Sequence, residues 1–490
     1  MPELIFEKSR PGAGSFTMAT GGQDFGGLAP RCPSTLLREK APALPELPEG
    51  EVVRHYVGLS TLNHHVDKDF YPLGSCTMKY NPKINDALAL LPGFTALHPE
   101  QPEAEAQGAL RLLVELGEGL CEVSGMDAVT LQPVAGAHGE LTALFMIRAY
   151  HEARGHARRK VVIPDSAHGT NPASITMAGY EVVQVKSAPD GCMDLEALKA
   201  VLDEDTAAFM ITNPNTVGIF ERHIVEIIQL VHEAGALCYM DGANLNALLG
   251  IVRPGDLGFD IMHINLHKTF SVPHGGGGPG AGPLVVKERM APYLPGPLPV
   301  RKGDAFGWQD AHPQSIGQVH AYFGNFGALV RAHAYLRRLG AQGLRRVAEN
   351  AIINANYVRA ALQDIYRLGF AGTPLHEVVF SAANQKKLGF KASHIAKRLL
   401  DFGMHAPTTY FPLIVPEALM VEPTETENRA TLDRFIAAMR QIHQECVEGN
   451  PLLESAPNLT PVRKLDDVRA VKQPRLRWRP EAAGDASHTA

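Results

Sequence analysis

The sequence predicts an α/β protein in which a large domain, built on a mainly parallel sheet, is followed by a smaller C-terminal α+β domain. Between residues 160 and 264, short apolar and β-branched runs alternate with helical patterns. This alternation is typical of a mainly parallel sheet with helices on both faces. After residue 325 the helical patterns are longer and lead into a region of mixed helix and strand. A chain of 490 residues has room for both domains.

The individual elements follow from the spacing of apolar residues, which differs between strands and helices. In the large domain we predict strands at 129–132, 160–164, 181–185, 207–212, 236–241, 260–264 and 283–287. We predict helices there at 103–123, 139–153, 172–179, 194–203 and 221–235. In the small domain we predict helices at 326–339, 344–362, 393–402 and 427–445 and a strand at 377–381. Thr424 and Glu427 predict a capping box at the start of the last helix.

Composition and periodicity divide the chain into four parts. Residues 1–48 are rich in glycine and proline and are interpreted as an extended arm, for which a flexible terminus is the alternative. The large domain is placed at 49–325 and the small domain at 326–450, and 451–490 form a C-terminal tail.

Composition and charge argue against several classes of function. The net charge of -6 offers no basic excess for binding nucleic acid or an anionic membrane surface. Every apolar run is interrupted well short of the ~18 residues of a membrane span. The six cysteines contain no Cys-x-x-Cys pair, so neither a zinc site nor a disulfide framework is predicted. The N-terminus shows no signal or transit pattern, and we therefore expect a cytoplasmic protein.

Lys268 is the first candidate for catalysis, because it follows the short buried strand predicted at 260–264. It would lie just beyond a strand end, where α/β sheets place ligands. Burial lowers the pKa of a lysine, and the free amine can then attack a carbonyl group, as a Schiff-base lysine does. The alternative for any lysine taken alone is a solvated surface position.

Asp241 ends the apolar run 236–240 and supplies an acid to accompany the lysine. Pyridoxal phosphate needs both groups: a lysine that holds its aldehyde, and a carboxylate that keeps its pyridine nitrogen protonated. Because Asp241 is followed by Gly242, a turn residue at a strand end is the alternative.

Three further loops at predicted strand ends carry candidate residues. His168 follows the strand at 160–164, and Thr216 follows the strand at 207–212. Because the carboxyl ends of parallel strands meet at one edge of a sheet, these loops should converge with those of the lysine and the aspartate. The small residues 135–137 lead into a helix, where backbone amides and the helix dipole can hold a phosphate. A plain strand-to-helix turn is the alternative.

The motifs that contain these residues resemble glycine decarboxylase, the P protein of the glycine cleavage system. They are SAHGTNPAS (166–174), DGANLNA (241–247), NLHKTFSVPHGGGGPG (265–280), YPLGSCTMKYNP (71–82) and VEPTETE (421–427). The resemblance covers almost the whole chain. Its length is similar to that of subunit 2, the shorter C-terminal chain of the split form. The resemblance implies the fold of fold type I pyridoxal-phosphate enzymes.

The same resemblance implies a role for each candidate residue. It implies that Lys268 holds pyridoxal 5'-phosphate as a Schiff base, that His168 stacks on the ring, and that Asp241 pairs with the ring nitrogen. The phosphate turn has Ala135 where a serine is expected, so binding there rests on the backbone amides of residues 135–137.

Five more positions belong to the cofactor site implied by the resemblance. Ala243 packs on the opposite ring face, Thr216 touches the phenolic oxygen and His267 sits beside the lysine. Gly136 and Ala137 complete the phosphate turn after Ala135.

The implied function is decarboxylation of glycine, with transfer of the aminomethyl group to the lipoyl group of the H protein. The implied partners are subunit 1, in an α2β2 heterotetramer, and the lipoylated H protein. Two other classes stay open. One is another fold type I enzyme, such as a desulfurase or transaminase, and the other is a non-catalytic scaffold subunit.

Overall fold

The computed structural model describes residues 3–13, 33–36, 40, 44–275, 278–474 and 476–477. The chain forms two compact units, Val66–Ala456 and the combination of Met1–His65 with Pro457–Ala490. The predicted division at residues 48, 325 and 450 stays a prediction.

A seven-stranded sheet forms the centre of the unit Val66–Ala456. Its strands are β1 (Ala128–Thr130), β2 (Lys160–Pro164), β3 (Glu181–Val185), β4 (Thr206–Thr212), β5 (Leu237–Gly242), β6 (Ile261–Ile264) and β7 (Leu284–Val286). Their spatial order is β1-β7-β6-β5-β4-β2-β3. The neighbouring strands β6, β5, β4, β2 and β3 pair in parallel. Strand β7 pairs antiparallel with both β6 and β1. The predicted mainly parallel sheet is confirmed, with each strand within two residues of its predicted bounds.

Both faces of this sheet are buried along β5, β6 and β7, whereas the edge strand β3 keeps exposed residues. In β5, Cys238 and Met240 belong to one apolar cluster, whereas Leu237 and Tyr239 belong to another. Because successive side chains of a strand point to opposite faces, the two clusters are two separate core layers. A strand that is buried on both faces has no polar side, which explains why these strands are continuous apolar runs in the sequence.

Two smaller sheets follow in the chain. The first is an antiparallel hairpin of β8 (Leu298–Lys302) and β9 (Ala305–Gln309). The second has the order β10-β11-β13-β12, with β10 (Arg367–Leu368), β11 (Val378–Ser381), β12 (Thr408–Thr409) and β13 (Ala418–Val421). The hairpin and three strands of the second sheet are additional to the sequence prediction. The short strands β10 and β12 have too few residues for an alternating pattern to be recognised.

The described helices are divided between the two units. In chain order they are α1 (Glu49–Thr61), α2 (Lys83–Ala89), α3 (Pro92–Thr95), α4 (Gln107–Ser124), α5 (Gly136–Glu152), α6 (Thr170–Met177), α7 (Leu195–Val201), α8 (Ile224–Glu233), α9 (Pro254–Leu257), α10 (Phe326–Leu362), α11 (Ala383–Lys387), α12 (Ala392–Asp401), α13 (Arg429–Glu448), α14 (Leu452–Ser455) and α15 (Asp467–Lys472). Short 3-10 helices lie at Ser34–Leu36, Glu103–Glu105 and Glu288–Tyr293. Helices α1 and α15 belong to the smaller unit, and the others belong to Val66–Ala456.

The two helices predicted at 326–339 and 344–362 are confirmed as the two parts of α10, which are separated by the non-helical residue Gly340. Gly340 has φ 57°, a left-handed conformation that glycine adopts without steric cost. The helix axis therefore changes direction where the sequence pattern is interrupted. Even with α10 included, none of the helices in the described part of the chain has the length and apolar character needed to cross a bilayer.

The capping box predicted at Thr424 and Glu427 is wrong. Helix α13 begins at Arg429, and its N-cap is Asn428, whose side chain accepts a hydrogen bond from the Thr431 amide at 3.0 Å. The Thr424 hydroxyl instead lies 2.8 Å from the Thr426 hydroxyl. Asparagine is as good an N-cap as serine or aspartate, so the local pattern contained two competing start signals.

Candidate active site

The candidate residues lie at the carboxyl edge of the large sheet. In the register of the parallel strands, Asp241 of β5 pairs with Thr212 of β4 and His263 of β6. The loop that carries His168 follows the neighbouring strand β2, and Lys268 follows β6. The strand ends therefore bring together residues that are about 100 positions apart in the sequence.

Lys268 is held in a tight turn and is half-buried. Its amide donates a hydrogen bond to the Asn265 carbonyl at 3.0 Å, and the Ser271 amide donates to the Lys268 carbonyl at 3.3 Å. Burial lowers the pKa of His168; the Asp241 carboxylate opposes this effect and the Lys268 ammonium adds to it. Lys268 and Asp241 are therefore both close enough to His168 to shift its pKa.

Asp241 is a buried carboxylate with several partners. The Asn171 side chain donates to Oδ2 at 3.0 Å, and the Ala243 amide donates to Oδ1 at 3.1 Å. His263 Nε2 lies 3.4 Å from Oδ1. Burial by itself would raise the pKa of Asp241, but His263, His168 and the Asn171 hydrogen bond hold it below its usual value. The carboxylate is therefore ionised at neutral pH and can balance a protonated ring nitrogen.

Behind Asp241 a polar chain extends into the core. The Tyr239 hydroxyl lies 2.5 Å from His263 Nδ1, and the two ring planes are 17° apart with centroids 6.0 Å apart. Burial lowers the pKa of His263, whereas the Asp241 charge raises it. Neither Asn171 nor His263 is among the residues predicted for the site. The available signal was a histidine inside an otherwise apolar strand.

The His168 side chain contacts residues from two parts of the fold. Its Nδ1 lies 2.9 Å from the Thr170 hydroxyl in the first turn of α6. Its ring meets the Phe411 ring edge-on, with centroids 5.7 Å apart and an interplanar angle of 69°. Phe411 precedes β13 in the small antiparallel sheet, and the sequence offers no signal that it would reach this site.

The turn of small residues ends at the N-terminus of α5. Its N-cap, Ala135, makes no side-chain capping hydrogen bond. The Ala135 side chain therefore does not occupy the first backbone amides of α5. A Cβ atom built on Gly136 would lie 2.6 Å from Asn265 Oδ1, which shows how closely the turn approaches the Lys268 loop. Asn265 Oδ1 is itself buried without a hydrogen-bond partner.

The structure also brings Thr216, Ala243 and His267 to this edge. The Thr216 hydroxyl donates to the Ser166 carbonyl at 2.6 Å and so joins two strand-end loops. Ala243 is half-buried beside Asp241. Burial, the neighbouring His274 and Lys268 lower the pKa of His267 to about 4, so this ring is neutral.

Lys79 donates hydrogen bonds to the turn that carries Lys268 and to two neighbouring loops. It is buried, and its ammonium group donates to the Thr269 carbonyl and to Asn246 Oδ1, each at 2.9 Å, and to Glu425 Oε1 at 2.6 Å. The three acceptors come from separate motifs of the sequence, so this one side chain joins them.

We expect Lys79→Ala to lower the free energy of unfolding by about 3–5 kcal/mol, because it leaves the Glu425 carboxylate buried without its charged partner. The control is Lys83→Ala, since Lys83 forms a 2.6 Å ion pair with Asp67 but both side chains are exposed. That change should cost about 1 kcal/mol or less. The measurement is urea-induced unfolding, and equal effects of the two variants would contradict the prediction.

These residues suit pyridoxal phosphate. The amine of Lys268 can bond the aldehyde of this cofactor, and the ionised carboxylate of Asp241 can pair with its ring nitrogen. The N-terminus of α5, whose N-cap makes no side-chain hydrogen bond, can bind its phosphate. The protein therefore belongs to the class of fold type I enzymes that depend on pyridoxal phosphate.

Comparison with known proteins narrows the class. The family model "Glycine cleavage system P-protein" matches residues 17–308, and the model "Glycine dehydrogenase, C-terminal domain" matches residues 347–453. The chain belongs to the glycine cleavage system P-protein family.

Curated relatives match along nearly their whole length. A protein from Chlorobium chlorochromatii, named "Probable glycine dehydrogenase (decarboxylating) subunit 2", is 56% identical over 96% of this chain and 98% of its own. A protein of the same name from Halalkalibacterium halodurans is 55% identical, with 97% and 98% covered. The name of these relatives implies a partner subunit.

Solved structures confirm the fold. A glycine decarboxylase (P-protein) of the glycine cleavage system in inhibitor-bound form has a TM-score of 0.70 at 23% identity, covering 86% of this chain and 96% of its own. A cysteine desulfurase from Thermococcus onnurineus NA1 has a TM-score of 0.59 at 15% identity, covering 77% and 97%. Both similarities concern the fold alone.

Proposed function

We propose that this chain carries the cofactor site of a two-subunit glycine decarboxylase. It decarboxylates glycine with pyridoxal phosphate, releases CO2 and passes the aminomethyl group to the lipoyl group of the H protein. The observation that supports this most strongly is the half-buried Lys268 beside the ionised Asp241, at one sheet edge, in a chain of the P-protein family.

The residues of the site divide the work of binding and orientation. Lys268 holds the cofactor's aldehyde, and Asp241 balances the charge of its ring nitrogen. His168 packs on the ring from the side of α6, and the amides of Gly136 and Ala137, after Ala135, hold the phosphate. When bound, the cofactor supplies an electron sink for the pair of electrons left by the departing carboxylate.

Three residues complete the proposed cofactor pocket. Ala243 packs on the opposite face of the ring, where its small side chain leaves room for an aromatic system. Thr216 lies beside the phenolic oxygen with a lone pair free to accept, since its hydrogen is donated to Ser166. His267 stands next to the lysine as a neutral ring.

The proposal includes partners beyond this chain. We assign subunit 1 as the second chain of an α2β2 heterotetramer and the lipoylated H protein as the acceptor of the aminomethyl group. The support is the name "subunit 2" of relatives that match over 98% of their length. We also assign a cytoplasmic location, which suits the free state of the five cysteines in the described ranges.

Two alternative functions can be weighed against the structure. The first is another fold type I activity, which is consistent with the similarity in fold to a cysteine desulfurase. The test is to determine which amino acid changes the visible absorbance of the bound cofactor. A scaffold subunit without cofactor is disfavoured, because a scaffold has no use for a buried ionised carboxylate beside a lysine.

We expect this chain alone to be a poor catalyst that becomes active only with subunit 1 and the H protein. The reason is that fold type I sites are usually completed across a subunit interface, so that the absent chain removes residues from the substrate pocket. The measurement is exchange of labelled bicarbonate into glycine by this chain alone and after each partner is added. Full exchange by the chain with H protein only would show that subunit 1 is dispensable.

A further inference from the structure

We propose that Glu140 is a positioning residue that selects the tautomer of His168 through the hydroxyl group of Thr170. The hydrogen-bond chain itself is independent of the reaction, whereas its consequence for catalysis rests on the proposed function of His168 at the cofactor. Sequence motifs did not point to Glu140, which lies in the first turns of α5.

The three side chains form a continuous chain of short contacts. Thr170 Oγ1 lies 2.7 Å from Glu140 Oε1 and 2.9 Å from His168 Nδ1. The other carboxyl oxygen of Glu140, Oε2, accepts from the Ser174 hydroxyl at 3.0 Å. Glu140 is 3% exposed, so water does not compete for these contacts. Thr170 and Ser174 are one helical turn apart on α6 and present their hydroxyl groups on the same side.

The donor and acceptor roles in this chain depend on the proton of Glu140. A hydroxyl group has a single hydrogen to donate, and an ionised carboxylate can only accept. When Glu140 is ionised, Thr170 donates to Oε1, and the Thr170 hydroxyl oxygen can then only accept from His168, which favours a hydrogen on Nδ1. Nε2 is then a hydrogen-bond acceptor.

When Glu140 carries a proton on Oε1, the direction reverses. Glu140 donates to Thr170, and the Thr170 hydrogen is free for His168 Nδ1. The Thr170 amide, 3.3 Å from Nδ1, is a second donor that suits only this arrangement. The neutral imidazole then carries its hydrogen on Nε2, which becomes a donor. One proton on Glu140 thus decides what His168 offers to the site.

Charges around the chain place this exchange near neutral pH. Burial and the Asp241 carboxylate raise the pKa of Glu140 to about 7, although the hydrogen bonds from Thr170, Asn171 and Ser174 oppose them. Because Glu140 is protonated below that pKa and ionised above it, both forms of the chain exist around pH 7.

Other titratable groups face these two residues. Burial raises the pKa of Tyr239, which faces Glu140, well above its usual value, so the phenol is neutral. His263 meets Glu140 and Asp241 in one buried cluster, and burial lowers its pKa. The Asp241 carboxylate and the Lys268 ammonium face His168, whose own pKa is lowered by burial. The His168 ring is therefore neutral where Glu140 titrates.

The experiment reads the His168 tautomer from the ring ¹⁵N signals of the full-length chain labelled with ¹⁵N-histidine. Protonated and unprotonated ring nitrogens have well separated shifts, and His168→Asn assigns the signals by their loss. From about pH 6 to about pH 8.5 we expect the hydrogen of His168 to move from Nε2 to Nδ1. A single tautomer over the whole range in the unaltered chain overturns the proposal.

Four variants distinguish an effect of the hydrogen-bond chain on the His168 tautomer from an effect of general packing. Glu140→Gln removes the titrating group, and Thr170→Val removes the hydroxyl at nearly constant shape, so each should leave His168 in one tautomer at every pH. Thr170→Ser keeps the hydroxyl and should restore the exchange. The control is Thr176→Val on the same helix, because the Thr176 hydroxyl is exposed and donates to the Pro172 carbonyl. It should behave as the unaltered chain does.

The outcomes remain decisive if one variant folds poorly. Circular dichroism identifies such a variant, and the Thr170→Val and Thr170→Ser pair then decides by itself. A pH-dependent tautomer that persists in Thr170→Val excludes the hydroxyl link. The readout needs neither glycine nor H protein, so its failure leaves the proposed decarboxylation intact, and a failed exchange assay leaves this result intact.

Discussion

Lys268→Ala should abolish covalent attachment of pyridoxal phosphate and lower the rate of glycine decarboxylation by at least ~1,000-fold, while leaving the fold unchanged. The change removes the amine that bonds the cofactor's aldehyde. It removes little packing, because Lys268 is only half-buried and its backbone, through the bonds to Asn265 and Ser271, maintains the turn. The measurements are the visible absorbance of the purified protein and the release of labelled CO2 from glycine.

The variant Lys268→Arg tests whether the reactive amine or only the positive charge of Lys268 is required. Arginine keeps a positive charge beside His168 and Asp241 but stays protonated, so it cannot form the covalent bond. We expect the same loss as in the alanine variant. Lys287→Ala is the matched control, since Lys287 bonds Asp127 and the Gly125 carbonyl away from this sheet edge. Unchanged visible absorbance in Lys268→Ala would remove the assignment of this lysine.

Asp241→Asn should still bind the cofactor but lose at least ~100-fold in decarboxylation, as expected when one preorganised charge is removed from a reacting centre. An ionised Asp241 raises the pKa of a ring nitrogen that it contacts. A rise of about two units stabilises the protonated ring by roughly 2.7 kcal/mol, which decides its charge at neutral pH. Asparagine keeps the shape and can accept from Asn171 through its one amide oxygen, but it has no charge and no second acceptor for the Ala243 amide.

The control for this variant is Asp165→Asn. Asp165 also follows a strand of the large sheet, but its carboxylate accepts hydrogen bonds from the amide and the hydroxyl of Ser187. That variant should decarboxylate glycine within a few-fold of the unaltered chain. Near-normal turnover by Asp241→Asn would mean that another group balances the ring nitrogen.

The strands of the large sheet could be predicted because both of their faces are buried. Residues such as Cys238 and Tyr239 alternate between two core layers, so each strand is a short continuous apolar run that stands out between helical patterns. Parallel strands place their carboxyl ends at one edge, and this rule alone brings the loops of His168, Asp241 and Lys268 together.

The prediction failed where local signals compete or are short. Asn428, rather than Thr424, caps α13, because several residues near a helix start can serve as the cap and tertiary packing selects one. The hairpin β8–β9 packs Phe306 and Trp308 against α4, a contact between segments about 190 residues apart that no local pattern reports.

The sequence by itself determined the class of fold, the candidate lysine and aspartate, and the family resemblance, because each depends on residue type and order along the chain. Only the tertiary structure decided which side chains surround them. Asn171 and His263 hold Asp241 ionised, and Glu140 reaches His168 through Thr170. These contacts join α5, α6, β5 and β6 through distances of about 3 Å, and such distances depend on how the elements pack rather than on any spacing in the sequence.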